Sequence, residues 1–437
     1  MRNSVRFAHS ITAFHPLATR NSQLATSMTQ FHSTVLSNGL TVLAETIPYA
    51  YSVSVCFFVN TGSRDETDVE SGVSHFLEHM IFRGSQKRKG EDVSRAFDDM
   101  GASNNACTGE DSTMFYASFL PEFLEPVIEL WSDVLRPALR ESDFNSERQV
   151  ILEELKMYQD EPPYDMDEQA RRAYFNGHPL GNPIIGTVDS LNAMTPEIMR
   201  NYLNRQYVPN NIVLCAAGKV DFDLLTRLAE KYLGAWTPRD VKRNLQSFTP
   251  GQRFNRVVDP TAAQEYIIDW YPGPNPIGRD YYVAKMFSSL IGESAGSRFY
   301  WKLSDVGLAD SAQLSYSDYT ETGAFNASFS CAPEDEKTCM DIVADVYEDV
   351  LKNGFSEKEL DQRRRRELAS LIMREERILT RVFSIASDWV CRNQYFTIDD
   401  EINILKSVTL DEINDMAKRF PLNPSVRFVV GPNEGNE

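Results

Sequence analysis

The chain has 437 residues, 42% of them hydrophobic and 24% charged, which supplies the cores of about two globular domains. Its net charge of −19 excludes a general nucleic-acid binder, because phosphate contacts need clustered Lys and Arg; it suits basic peptide substrates, or simply solubility. The six cysteines (Cys56, Cys107, Cys215, Cys331, Cys339, Cys391) form no Cys-x-x-Cys pair and read as reduced thiols in a cytosol-like compartment, and no apolar run reaches membrane-spanning length.

Residues 1–30 contain Arg2, Arg6 and Arg20, many Ser and Thr, and no acid before Glu45. They are a mitochondrial presequence, a disordered leader, or a mis-called start with translation beginning at Met28. Poor helical patterning, broken by Pro16, favours the leader, hence a cytoplasmic protein with the mitochondrial matrix as the alternative. Leu36-Ser37-Asn38-Gly39-Leu40 reads as a hairpin turn with Asn-Gly at its tip. A strand over 52–60 then runs through a polar loop at 61–70 into a helix near residue 73. A helix at 90–100, strands at 102–107 and 113–119, and helices at 124–135 and 142–158 follow, with Pro162-Pro163 closing the section. Residues 237–256, with Pro238, Pro250, Gly251 and several basic groups, read as a linker between domains at 31–236 and 257–437. Beyond it the pattern resumes at Tyr266-Ile267-Ile268-Asp269-Trp270.

The run His75-Phe76-Leu77-Glu78-His79 carries the chemistry. Two histidines four apart lie one above the other on a helix, so both rings can reach one metal ion, and Glu78 projects from the same side. Val73, Phe76, Leu77, Met80 and Ile81 form an apolar stripe, leaving His75, Glu78, His79 and Phe82 for a cleft; Ser71 or Gly72 starts the helix and Gly84 ends it. A catalytic zinc takes three protein ligands, so one more donor is required. Glu147, Glu153 and Glu154 on the 142–158 helix are the natural sources; Val150, Ile151, Leu155 and Tyr158 mark its apolar stripe, and Glu147 and Glu154 share a flank of it.

The two halves are related. Phe115-Tyr116-Ala117-Ser118-Phe119 recurs as Phe325-Asn326-Ala327-Ser328-Phe329, and a helix, a Phe (Phe144, Phe355) and a charged helix follow both. A period this long points to duplicated domains. Positions matching His75, His79 and Glu154 fall near Lys285, Ser289 and Arg365, and the second half has no histidine, so one half holds metal.

His75 to Met80, followed by Glu147-Arg148-Gln149-Val150-Ile151-Leu152-Glu153-Glu154, resembles the pitrilysin family of inverzincin metallopeptidases, short-chain branch, which includes processing peptidases and bacterial zinc proteases. The resemblance runs from about Leu36 to the C-terminus and takes in Asn38-Gly39-Leu40, Gly101, Asn105-Ala106, Pro179-Leu180-Gly181 and Gly186-Thr187. It implies an α+β fold of two related domains, each a mainly antiparallel sheet packed with helices, as in processing-peptidase/LuxS-like metallohydrolases. It implies a zinc-dependent endopeptidase that hydrolyses peptides or unfolded segments inside a chamber between the two halves or between two subunits. His75, His79 and Glu154 are then the ligands of one Zn2+ per chain. Zinc-activated water is the nucleophile, Glu78 the general base, Glu147 a supporting carboxylate, and Glu153 a bystander. Asn105 and Ala106 match an edge strand that binds substrate, and His178 matches a structural loop.

One departure stands out. Active relatives carry an Arg and a Tyr in a Leu-Arg-…-Gly-Leu-Ala-Tyr stretch, where this chain has Leu303-Ser304 and Gly307-Leu308-Ala309-Asp310. An ionised Asp cannot donate a hydrogen bond to an oxyanion. The resemblance therefore implies a heterodimer with a homologous subunit bearing the Arg/Tyr pair, or a weakly active homodimer. The competing reading is a non-catalytic scaffold subunit of a heteromeric complex.

Overall fold

The computed structural model describes residues 28–433 other than 160, 161, 244 and 294; the expected leader lies outside them except for its last three residues. Strands β1 (Gln30–Val35) and β2 (Thr41–Thr46) pair antiparallel across the anticipated turn. Gly39 takes φ 88° there, and the Asn38 side chain ties the turn to the Leu233 carbonyl at 2.9 Å. Next come β3 (Val53–Val59), α1 (Val73–Phe82), α2 (Gly90–Asp99), β4 (Ser103–Thr108), β5 (Thr113–Phe119), α3 (Leu124–Val134) and α4 (Glu141–Gln159). Then follow α5 (Pro162–Phe175), α6 (Val188–Ala193), α7 (Pro196–Gln206), β6 (Ile212–Gly218) and α8 (Phe222–Leu233). Pro162 opens α5 rather than closing the section: proline's fixed φ suits a first helical turn as well as it ends a helix.

The second half begins with β7 (Arg253–Val258), so residues 253–256, read as linker, are strand. It continues with β8 (Glu265–Gly273), α9 (Arg279–Gly292), β9 (Ala309–Tyr319), β10 (Thr322–Cys331), α10 (Glu336–Asn353), α11 (Glu357–Glu375) and α12 (Ile378–Arg392). Helices α13 (Ile398–Ser407) and α14 (Leu410–Arg419) and strand β11 (Val426–Gly431) complete it.

The sheets run β1-β2-β6-β3-β5-β4 and β7-β11-β8-β10-β9. Apart from β1 they match strand for strand: β2·β6 and β7·β11 are the parallel pairs, and every other pair is antiparallel. The duplicated motifs lie on β5 and β10. Phe76 stacks on Phe144 (4.5 Å) as Phe287 meets Phe355 edge-on (6.2 Å), so the duplication extends to core packing.

Each half also lends a helix to the other. Met166, Ala170, Tyr174 and Phe175 of α5 pack on Trp270 and Phe428 of the second sheet. In return Val382, Ile385 and Ala386 of α12 pack on Cys56, Val213 and Cys215 of the first. The α12 contact includes a fully buried ion pair, Arg381 Nη2 to Glu45 Oε2 at 2.6 Å. Removing one partner of such a pair costs about 3–5 kcal/mol, because the other charge is left buried and unpaired. Residues 237–252 carry no helix or strand among the described residues and cross the same seam. There Arg243 reaches Asp65 (2.8 Å) and Asp111 (3.3 Å), and Gln246 receives the His178 ring nitrogen (3.0 Å), the structural role expected of His178.

Candidate metal centre

Helix α1 begins at Gly72, whose φ of 86° suits a residue without Cβ; an added Cβ would lie 2.4 Å from the Ile185 carbonyl oxygen. Buried Glu66 takes the Gly72 and Ser74 amides (2.7 and 2.8 Å) and so caps the helix from six residues upstream of Gly72. Burial pushes its carboxyl up to about 8, while those amide bonds pull the other way. The anticipated stripe is buried, and His75, Glu78, His79 and Phe82 are half-buried on the other side. On α4, Ile151 and Leu155 are buried as the stripe requires, but Val150 is 46% exposed. Glu147 is buried, Glu154 half-buried and Glu153 exposed.

His75, His79 and Glu154 offer ligand atoms that all lie within 4.8 Å of one another, the one such group among the described residues. His75 Nε2 is 3.8 Å and His79 Nε2 3.7 Å from the Glu154 carboxylate oxygens. Ligands around a tetrahedral zinc sit roughly 3.3–3.6 Å apart. The three groups are therefore spaced about a common gap instead of hydrogen-bonding each other. From behind, His79 Nδ1 meets Glu147 Oε1 at 2.9 Å, and Arg83 binds the other Glu147 oxygen. A hydrogen on Nδ1 leaves the Nε2 lone pair for a metal.

The electrostatics suit a cation. Burial holds the His75 imidazole neutral, down to about 3, with His79 adding to the effect. Burial pulls His79 down too, but its Glu147 hydrogen bond and the carboxylates of Glu154, Glu147 and Glu78 raise it above the usual imidazole range. Glu78 and Glu154 are raised, chiefly by burial. Glu147 stays below its ordinary value despite burial, because His79 and Arg83 stabilise its anion. Three carboxylates around two imidazoles want positive charge, and an N/N/O donor set fits zinc.

Glu78 accepts a hydrogen bond from Thr108 Oγ1 at 2.6 Å. A cavity of about 830 Å3 beside the site is lined by Glu78, His79, Phe82, Asn105 and Glu147 among others, all from the first half. Among the described residues strand β4 pairs only with β5 and forms the sheet's edge; Asn105 is exposed and Ala106 buried. Ser304 and Asp310 lie in the second half, in the short helical turn Tyr300–Ser304 and on β9, where Asp310 is bonded to Gln264. Glu66, Arg83 and Thr108 escaped the sequence reading. Only an acid shortly upstream of the helix start hinted at the first, and no local pattern marks the other two.

Residues 41–188 match the model of the insulinase family of peptidases (family M16), and residues 193–367 match the model of the peptidase M16 inactive domain. The chain belongs to this family. It is 28% identical over 410 residues to an uncharacterized zinc protease of Mycobacterium tuberculosis, covering 92% of this chain and 93% of that one. It is 25% identical over 399 residues to the uncharacterized zinc protease YmxG of Bacillus subtilis, covering 91% and 97%. A protease from Helicobacter pylori shares the fold with a TM-score of 0.85 at 22% identity, over 92% of this chain and all of that one. A peptidase M16 inactive domain structure from Pseudomonas fluorescens does so at 0.86 and 16% identity, over 93% and 99%. Among the described residues no helix is long and apolar enough to cross a membrane, and all six cysteines are free.

Proposed function

We propose that the chain is a zinc-dependent endopeptidase acting on peptides or unfolded polypeptide segments. The observation that carries the reading is the convergence of His75, His79 and Glu154 on one gap, with Glu78 on the same helix face. His75 and His79 through Nε2, with the Glu154 carboxylate, would hold the ion, one per chain. When bound, zinc supplies a Lewis acid that acidifies water and polarises a carbonyl. Glu78 takes the proton from the attacking water and returns it to the leaving amine; its upward shift by burial suits a group that must both accept and donate. Glu147 keeps the Nδ1 hydrogen of His79 in place, so that Nε2 stays a donor of electrons. The free edge of β4 at Asn105 and Ala106 takes the substrate as an added strand, in register with its backbone groups.

The exchanged helices α5 and α12 make a chamber that opens between the two halves of one chain costly, which favours a chamber between two chains. With Ser304 and Asp310 where an Arg/Tyr pair serves active relatives, we infer a homologous partner subunit that supplies the pair, a homodimer being the alternative. The free thiols fit a cytosol-like compartment.

The test is the zinc content of the purified chain and of a folded His79→Ala variant. One equivalent in the wild type, lost in the variant, supports the enzyme. A wild type that takes up no zinc supports the scaffold instead.

A further inference from the structure

We propose that Thr108 is a positioning residue for Glu78, and that the non-metal half acts on the site through the hairpin that carries Thr108; this rests on reading Glu78 as the general base. The Thr108 hydroxyl lies 2.6 Å from Glu78 Oε2 and, facing a carboxylate, is the donor. Held by one oxygen, the carboxylate presents the other to water without having to select a rotamer. The β-branched Thr side chain has few χ1 options, so its position follows that of the strand.

That strand end is fixed on all sides. Thr108 pairs with Thr113 in register, and Gly109 N–H donates to the Ser112 carbonyl at 2.8 Å, closing the β4–β5 turn. The Ser63 and Arg64 amides donate to the carbonyls of Gly109 (3.2 Å) and Glu110 (3.1 Å). Gly62 presses so close that a Cβ there would lie 2.2 Å from the Gly109 oxygen. At the tip, Asp111 Oδ2 accepts the Thr320 amide at 2.8 Å, and Thr320 sits in the β9–β10 turn of the other half. Asp111 Oδ1 accepts Arg64 Nη1 (2.6 Å) and Arg243 Nη1 (3.3 Å). Two equivalent hairpins of the duplicated sheets thus meet tip to tip, and one of them holds the base. Along β4, Asn105 and Cys107 are exposed, while Ala106 is buried and Thr108 reaches Glu78 on α1. The strand proposed to receive substrate therefore fixes the base that acts on it.

The test compares the full-length wild type, Thr108→Val and Thr108→Ser by zinc content, kcat, KM and crystal structure. Loss of the hydroxyl in Thr108→Val is expected to lower kcat about tenfold or more with KM within about twofold and zinc retained, and Thr108→Ser to recover kcat to within about threefold. In the crystal structure of Thr108→Val the Glu78 carboxylate turns away from its wild-type position. Wild-type kcat in Thr108→Val, an unmoved Glu78, or a Ser variant as slow as the Val variant would overturn the proposal. A wild type without zinc overturns the reading of the site instead; where the chain needs its partner for turnover, the Glu78 position in the two crystal structures still reports on Thr108.

Discussion

His79 and His75 are held in different ways. His79 has Glu147 behind it, itself bound by Arg83, whereas the buried His75 Nδ1 has no hydrogen-bond partner among the described residues. Orientation of the proposed ligand set therefore leans on Glu147. Replacing Glu147 with Ala is expected to weaken zinc binding about 10–100-fold while the fold persists, measured by competition with a chromophoric chelator; unchanged affinity would show that packing suffices. His75, Glu78 and His79 could be read from spacing because a helix converts sequence interval directly into a shared face. Glu154 could not be separated from its neighbours by periodicity, and only family likeness singled it out. Thr108 and Arg83 were silent because their contacts to Glu78 and Glu147 span 30 and 64 residues and exist only after the chain has folded.

Among the elements, helix α1 depends most on its start. Gly72 sits in the left-handed region against the Ile185 carbonyl, and Glu66 closes the first turn. A Gly72→Ala change is expected to cost about 2 kcal/mol or more through the left-handed backbone and the clash, and to weaken zinc binding as the helix shifts. Thermal melting with and without zinc checks this, and a melting temperature equal to wild type would contradict the account of the helix start. Sequence patterning located α1 to α4 and β3 to β5 to within a few residues, since their apolar periods are clear. It misread Pro162, because a proline that ends one helix and a proline that begins the next leave the same mark. It placed Val150 on the buried stripe of α4, although the helix is buried along a narrower line through Ile151 and Leu155.

For the molecule as a whole, the repeated β5 and β10 motifs disclosed two related halves, and the matching strand orders bear that out. The exchange of α5 and α12 was beyond the sequence, because an amphipathic stripe does not say which sheet it will cover. That exchange couples the halves: α5 follows the helix of Glu154, and α12 brings Arg381 to Glu45. A separate contact, Asp111 with Thr320 at the tips of the two hairpins, carries the mechanical role proposed for the second half at the site. The central claim is that His75, His79 and Glu154 hold zinc for hydrolysis with Glu78 as the base. It is tested most directly by zinc content and hydrolysis of a quenched-fluorescent peptide, comparing wild type with Glu78→Gln in the same assembly state. The account predicts one zinc per chain in both and turnover at least about 100-fold lower in the variant. Hydrolysis by Glu78→Gln at the wild-type rate would contradict it.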